Sequence, residues 1–318
     1  MAKQAKGMKS ITNLAFETTY GQAPTGGTWY RQPINKNALT GKQNLITTNT
    51  ITGRRDTVEP GIGQMDASGQ LELPMDVRNV GNILKGIFGA PTTSAGTKEG
   101  TYKHVFKVGD EIPSLTVEKG FPDIGLFFQY TGTKLNKFSL TAQVGNNETT
   151  YTVDTMASNE TEAKNTAAAS PTSLKLMRFN NVNAAVKEGG TALATCRKMQ
   201  VDINNNLDGD TYCLNGSSIR PSINEGLAEV TGSIETLFED DTQLQKAMNS
   251  TETSLELAFT RDDFSLTFSI PEVILERTTP GISGPKGITQ SLNYRGYYAD
   301  DAGNSIITVT LINDVEKY

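Results

Sequence analysis

A strand, a long polar loop, a second strand and a short amphipathic helix follow one another within residues 42–89, and the same order returns within residues 198–249. A unit that recurs in order constrains a fold more than any single residue does, because each copy must bury its apolar face against something. Laid over one another, the copies bring Gly69 onto Gly232, Leu71 onto Ile234 and helix onto helix, with a one-residue drift inside the helix. Farther on, the stretch SLTVE at 114 faces SLELA at 254, across a shorter connection in the second copy. The repeat is one of pattern and order, since identity between the halves is low.

In the first copy, residues 44–52 (NLITTNTIT) are β-branched with period-two character and predict a strand. Residues 53–66 are a polar excursion carrying Arg54, Arg55, Asp56, Glu59 and Pro60, longer than a hairpin needs. A long loop of mixed charge is either mobile surface or contact surface. The strand resumes over 70–73, and Asp76 caps a helix in which Val77, Val80, Leu84, Ile87 and Phe88 recur at helical spacing until Gly89 and Pro91 stop it. In the second copy Met199, Val201 and Ile203 share a strand face, and residues 208–225 are the long loop, with Asp208, Asp210, Arg220 and Glu225. A strand over 230–236 leads to a helix whose start collects Glu239, Asp240 and Asp241 and whose buried stripe is Leu244, Ala247 and Met248.

The rest of the chain also reads as β. Strands are expected over 104–108, 114–119, 125–132, 134–144 and 149–156. In the second half they are expected over 174–186, followed by a hairpin turning at Gly189-Gly190, and over 254–260, 264–270, 273–277, 288–297 and 306–312. Residues 158–172 lose all apolar periodicity and read as a linker. This predicts a mainly β chain with a first domain over 17–157, a linker over 158–172 and a second domain over 173–318. Residues 1–16, with Lys3, Lys6 and Lys9 and no acid, are an N-terminal arm, either solvated or ordered only against a neighbouring subunit. Trp29, the single tryptophan, reads as a packing anchor.

Composition narrows the function. The 318 residues can build two ordinary domains, and 30 glycines against 12 prolines, with many Thr and Asn, favour strands and turns. No apolar run is long enough to span a bilayer, so no membrane insertion is expected. The lysine-rich start has no apolar segment behind it, which predicts folding in a cytoplasm. Cys196 and Cys213 read there as free thiols, although they could approach across neighbouring strands. A net charge of −6 excludes a protein that binds nucleic acid by neutralising phosphates, but not a surface that DNA slides past.

No catalytic or cofactor constellation emerges. His104 is the only histidine, which removes a zinc site and most nucleophile–base pairs, and strand alternation accounts for it. The stretch NNNLDG at 204 resembles the opening of a calcium loop, but its twelfth position is Asn215 and flanking helices are absent. The glycines of GISGPKG at 281 lack P-loop spacing. No catalytic, cofactor-binding or metal residue is assigned.

Several stretches along nearly the whole chain carry a resemblance: TWYRQPI, NTITGRRDTVEP, MDASGQLELPMDVRNVGNILKGIFGAP, PSLTVEKGF, VKEGG, NNLDGD and GSIETLFED. In these the chain resembles the major tail tube proteins of long-tailed (siphovirus-like) bacteriophages. The resemblance implies tandem tail-tube-type β-sandwich domains, each of two packed antiparallel sheets with a short flanking helix and a long assembly loop. It implies a structural virion protein, not an enzyme, whose copies form stacked rings around a lumen that is the conduit for DNA ejection. It implies as partners further copies of itself, a tape-measure protein, tail terminator and distal tail proteins, with DNA passing unbound. It also implies location in the virion tail after synthesis and assembly in the host cytoplasm.

Family rings are mostly hexamers of single domains, so a duplicated chain is expected to form a trimer with pseudo-sixfold symmetry. Assembly contacts are expected from Arg54, Arg55, Asp56 and Glu59 and, by the repeat, from Asp208, Asp210, Arg220 and Glu225. The lumen is expected to be acidic. The competing readings are another tail component, either distal tail or decoration protein, and a carbohydrate-binding or hydrolytic β-sandwich.

Overall fold

The computed structural model describes residues 4–145, 148–298 and 305–318. Alternation builds its principal strands. In Gly61–Pro74, Met65, Ala67, Leu71 and Leu73 are buried while Gln64, Asp66 and Gln70 face out, so one face must be covered and the other is solvated.

The first half supplies β1 (Ile11–Phe16), β2 (Thr40–Ile46), β3 (Gly61–Pro74), α1 (Val80–Phe88), β4 (Tyr102–Lys107), β5 (Leu115–Phe121), β6 (Leu126–Gln143), β7 (Thr150–Ala157) and β8 (Asn159–Ala163). The second supplies β9 (Ala184–Glu188), β10 (Cys196–Asn204), β11 (Glu229–Leu237), α2 (Thr242–Met248), β12 (Thr253–Arg261), β13 (Phe264–Leu275), β14 (Thr289–Tyr297) and β15 (Thr308–Asn313). Apart from β4 and short strands, the two series correspond element by element: β1 to β9, β2 to β10, β3 to β11, α1 to α2, β5 to β12, β6 to β13, β7 to β14 and β8 to β15.

In each half, two sheets share one long strand. The first part of β6 pairs with β5 and β8, and its second part pairs with β7. The strand turns between the sheets at Gly132, whose φ of 61° is open to glycine, while a Cβ there would meet Ser158 and Tyr20. Its counterpart β13 pairs first with β12 and β15, then after Pro271 with β14. Sequence periodicity breaks at both corners, which is why each of these strands reads as two.

The inner sheet runs β2–β3–β7–β6–β10–β11–β14–β13 and crosses from one half to the other where β6 pairs with β10. The halves also interlock behind it. The hairpin of Thr92–Ala95 and β4 belongs to the first half in sequence but extends the second half's outer sheet by pairing with β15. Tyr318 lies on Gly81 of α1 and donates from its hydroxyl to the Arg78 carbonyl at 2.5 Å, and Arg78 pairs with Asp314 at 2.6 Å. One apolar core runs through both halves, with Phe138 stacked on Tyr151 at 5.0 Å and tilted against Phe268 of the second half at 5.8 Å.

Helix α1 starts after Asp76, whose Oδ1 accepts from the backbone amides of Arg78 and Asn79. Other expectations shift. Residues 47–52 lie outside the strand, because no strand among the described residues pairs with this β-branched run. Residues 11–16 of the expected arm form β1, held between Tyr30–Arg31 and β5. Within the expected linker, β8 pairs with β6, and Ala168 is buried with Ala15 and Trp29. Of residues 174–186, only those from 184 onward are a main strand.

Gly69 and Gly232 show why the repeat keeps glycine there. A Cβ at Gly69 would lie 2.3 Å from the Ala38 carbonyl, and one at Gly232 would lie 2.0 Å from the Gln200 carbonyl and 2.6 Å from the Tyr294 hydroxyl. Both positions lie against the neighbouring backbone of the same strand pair. Gly69→Ala and Gly232→Ala should each destabilise the protein by about 1–3 kcal/mol, because strand backbone has to move aside. Urea denaturation of the two variants should give similar losses if the positions are equivalent.

Candidate assembly interface

The inner sheet has two chemically different faces. Following one row of cross-strand partners, Leu71, Val153, Phe138, Ile203 and Val230 are all buried. The adjacent row is Glu72, Thr152, Ser139, Asp202, Thr231 and Arg295, and none of these is buried. The alternation passes through the β6–β10 junction without a change of phase. A continuous polar face therefore spans both halves, with charges of both signs on it, such as Lys137 and Asp202 at 3.6 Å.

The two long loops differ in what they touch. The second-half loop folds on itself through the Asp208–Asn224 bridge, and the Asp210 amide donates to the Asp208 carboxylate. It then docks on the first half. Arg220, only 7% exposed, donates to the Gly209 and Ala157 carbonyls, pairs with Asp66 and lies over the Tyr212 ring. Tyr212 donates to the Met65 carbonyl, and the Met65 amide donates to the Ser218 carbonyl. Glu225 accepts from Lys134 at 2.6 Å and from the Ile112 amide at 3.0 Å. Asp66, Lys134 and Met65 carry no sequence signal as loop partners, since only the fold brings them to the loop.

The first-half loop over residues 47–60, by contrast, makes no comparable contact among the described residues. Arg54, Arg55, Asp56 and Glu59 are exposed, and Arg54 pairs only locally, with Asp56 at 2.7 Å. Leu45, Ile46, Ile51 and Ile62 stand out around it at 67%, 54%, 96% and 73% exposure. These side chains place four large apolar groups together on one projection.

The remaining candidates have structural roles. His104 bonds Thr93 through Nδ1 and the Val315 carbonyl through Nε2, and burial lowers its pKa. Asn205 is buried and donates to the Ile87 and Leu135 carbonyls, which uses one side chain of the calcium-like stretch for backbone. Cys196 and Cys213 are both free thiols. Among the described residues no group of three His, Cys, Asp or Glu could hold a metal ion, and no helix is long and apolar enough to cross a membrane.

Burial pushes the Glu225 carboxyl up, but the hydrogen bonds from Lys134 and Ile112 outweigh it and hold the pKa below its usual value. A depressed folded-state pKa contributes stability above the unfolded value of about 4.3, lost as pH falls through the folded value. Glu225→Gln should therefore cost about 1–2 kcal/mol at pH 7. Its difference from the wild type in urea denaturation should vanish at low pH.

No curated protein matches the chain. A family model described as phage tail tube protein matches residues 9–296, which takes in most of both halves, the junction between them and both loops. A chain with this architecture, matched over nearly its whole length, belongs to the phage tail tube protein family, a structural component of the virion tail.

Proposed function

We propose that three copies of this tail tube protein close into a ring with pseudo-sixfold symmetry, and that rings stack into the tube through which DNA leaves the particle. The observation that carries this is the unbroken two-faced inner sheet, apolar towards the core and polar on the other side, running through two units of matching topology. Units 17–157 and 173–318 each supply four of its strands, so one chain does the work of two single-domain subunits. Closing the sheet on itself removes its open edges, as in any barrel.

In this reading the polar face lines the lumen. Hydroxyls, amides and charges of both signs cover it, with the acids Glu72, Asp154, Asp202, Glu229 and Glu235 beside the cations Lys137, Lys198 and Arg295. Such a face offers DNA few unpaired cations, so DNA passes without specific binding. Inside the lumen sits a tape-measure protein until ejection, terminator and distal tail proteins cap the two ends, and assembly takes place in the host cytoplasm. A carbohydrate-binding site has no observation in its favour.

The first-half loop then serves between chains as the second-half loop serves within one. Arg220 reaches Asp66 across the intrachain junction, and Glu229 is the counterpart of Asp66 at the far side of the chain. Arg54 and Arg55 are the cations available to a neighbouring copy there, with Asp56 and Glu59 beside them.

Electron microscopy of the purified protein should show rings of three chains and stacked tubes; class averages with six chains per ring would overturn the trimer. Reversing Arg54 and Arg55 together to Glu should leave a folded monomer, with unchanged thermal unfolding, that assembles poorly. Normal tube formation by that variant would count against the loop's role.

A further inference from the structure

The junction inside the chain is also a pattern for the junction between chains. Within the chain, β6 of one unit lies antiparallel to β10 of the next, with Lys137 opposite Asn204, Phe138 opposite Ile203, Ser139 opposite Asp202 and Leu140 opposite Val201. The junction joins the edge of a long corner strand to the edge of the strand before a long loop. The two edges left over at the ends of the inner sheet are of these same two kinds: the continuation of β13, and the stretch that includes β2.

The correspondence can be made residue by residue. Leu39 lies opposite Gly69 as Val201 lies opposite Gly232. Leu135 lies opposite Thr155 as Leu275 lies opposite Tyr294. A bulge makes Asn136 an extra residue in β6, so that Lys137 is opposite Asp154; the Glu276 amide likewise donates to the Asn293 carbonyl at 2.8 Å. Residues 276–279 are thus the counterparts of 137–140, and 39–42 are those of 201–204.

We propose that residues 276–279 extend β13 as a strand on contact with a second copy of this chain, pairing antiparallel with its residues 39–42. The register sets Glu276 opposite Lys42, Arg277 opposite Gly41, Thr278 opposite Thr40 and Thr279 opposite Leu39. The inference rests on the ring reading given above.

Three observations carry it. Residues 276–279 are irregular and exposed, whereas their counterparts 137–140 are in a strand and buried or half-buried. Pro280, which has no N–H to donate, ends the stretch. The copied register, fixed without reference to charge, places a carboxylate opposite an ammonium and one threonine opposite another, both favourable cross-strand pairs. In the lone chain the outer edge of 39–41 is closed by side chains: Lys119 donates to the Leu39 carbonyl, and the Gly41 amide donates to Glu160 at 2.9 Å. These are bonds that an arriving backbone strand can replace, and until it arrives they keep the edge from pairing at random. Because the two edges differ, the contact is head-to-tail and can close a ring.

The test is cross-linking in a Cys196→Ser, Cys213→Ser background. Thr40→Cys and Thr278→Cys together should give, on mild oxidation, a disulfide ladder ending at the ring size, because opposed residues lie within disulfide reach. Mixing the two single variants should give dimers only, and either alone should give none. Assembled tubes that do not cross-link, or Thr40→Cys linking to itself, would overturn the junction while leaving the tube reading intact. Cross-linked rings that never stack would do the reverse. Should the cysteine variants fold poorly, charge exchange decides: Lys42→Glu should raise the assembly threshold about threefold or more, and adding Glu276→Lys should restore it. No restoration would overturn the register.

Discussion

The pairing of β6 with β10 is the constraint on which the rest depends. Seven consecutive residue pairs, from Gln143 with Lys198 to Lys137 with Asn204, tie the last inner strand of one unit to the first of the next. Because side chains alternate with period two, this register also sets which face of the second unit's sheet is buried. A slip of one residue would turn Val201 and Ile203 outward and bring Gln200 and Asp202 into the core. Phe138 reinforces the choice by filling the space between Tyr151 of its own unit and Phe268 of the other. With that register held, the polar face is continuous, the second-half loop is carried over Asp66 and Lys134, and the chain's inner sheet keeps an open edge at each of its two ends.

Much of this is legible in the sequence where the physics is local. The strand–loop–strand–helix unit shows through Gly69 and Gly232, because a strand backbone approaching within contact distance excludes any side chain, whatever the rest of the sequence does. Asp76 announces α1 because a carboxylate taking two free amides is a short-range interaction. What is not legible depends on partners. The run at 47–52 has β propensity but no strand beside it, whereas β8 has poor propensity and forms because Asn159 to Ala163 find β6. Propensity is half of a pairing, and the other half is remote in sequence.

The loop residues divide in the same way. The sequence marks Arg220 and Glu225 as charged positions in a contact loop, but it holds no signal that they are used inside the chain. That follows from the order of units along the sheet: the neighbour of the second unit on that side is the first unit itself. The hairpin of Thr92–Ala95 and β4 is still less legible. It lies between two elements of the first unit, yet it pairs with β15, and only the placement of the two units beside each other brings those edges together.

Duplication changes what each unit has to do. In a ring of identical units every junction must be made by the same residues, so no junction can gain a feature that the others lack. In the proposed ring, alternate junctions would be covalently connected and need not form from dilute partners. The intrachain junction can therefore carry features that would be troublesome between free chains: a deeply buried Arg220, a traded hairpin, and the Tyr318 ring laid on Gly81. In that ring the other junction would have to remain open until a second copy arrives, which fits an edge closed by the exchangeable side chains of Lys119 and Glu160 and a loop on the surface. The divergence of the two halves in sequence, with their topology kept, is what that difference in duty would produce. An edge that is always paired can be built for permanence, and one that waits for a partner has to be built against pairing wrongly.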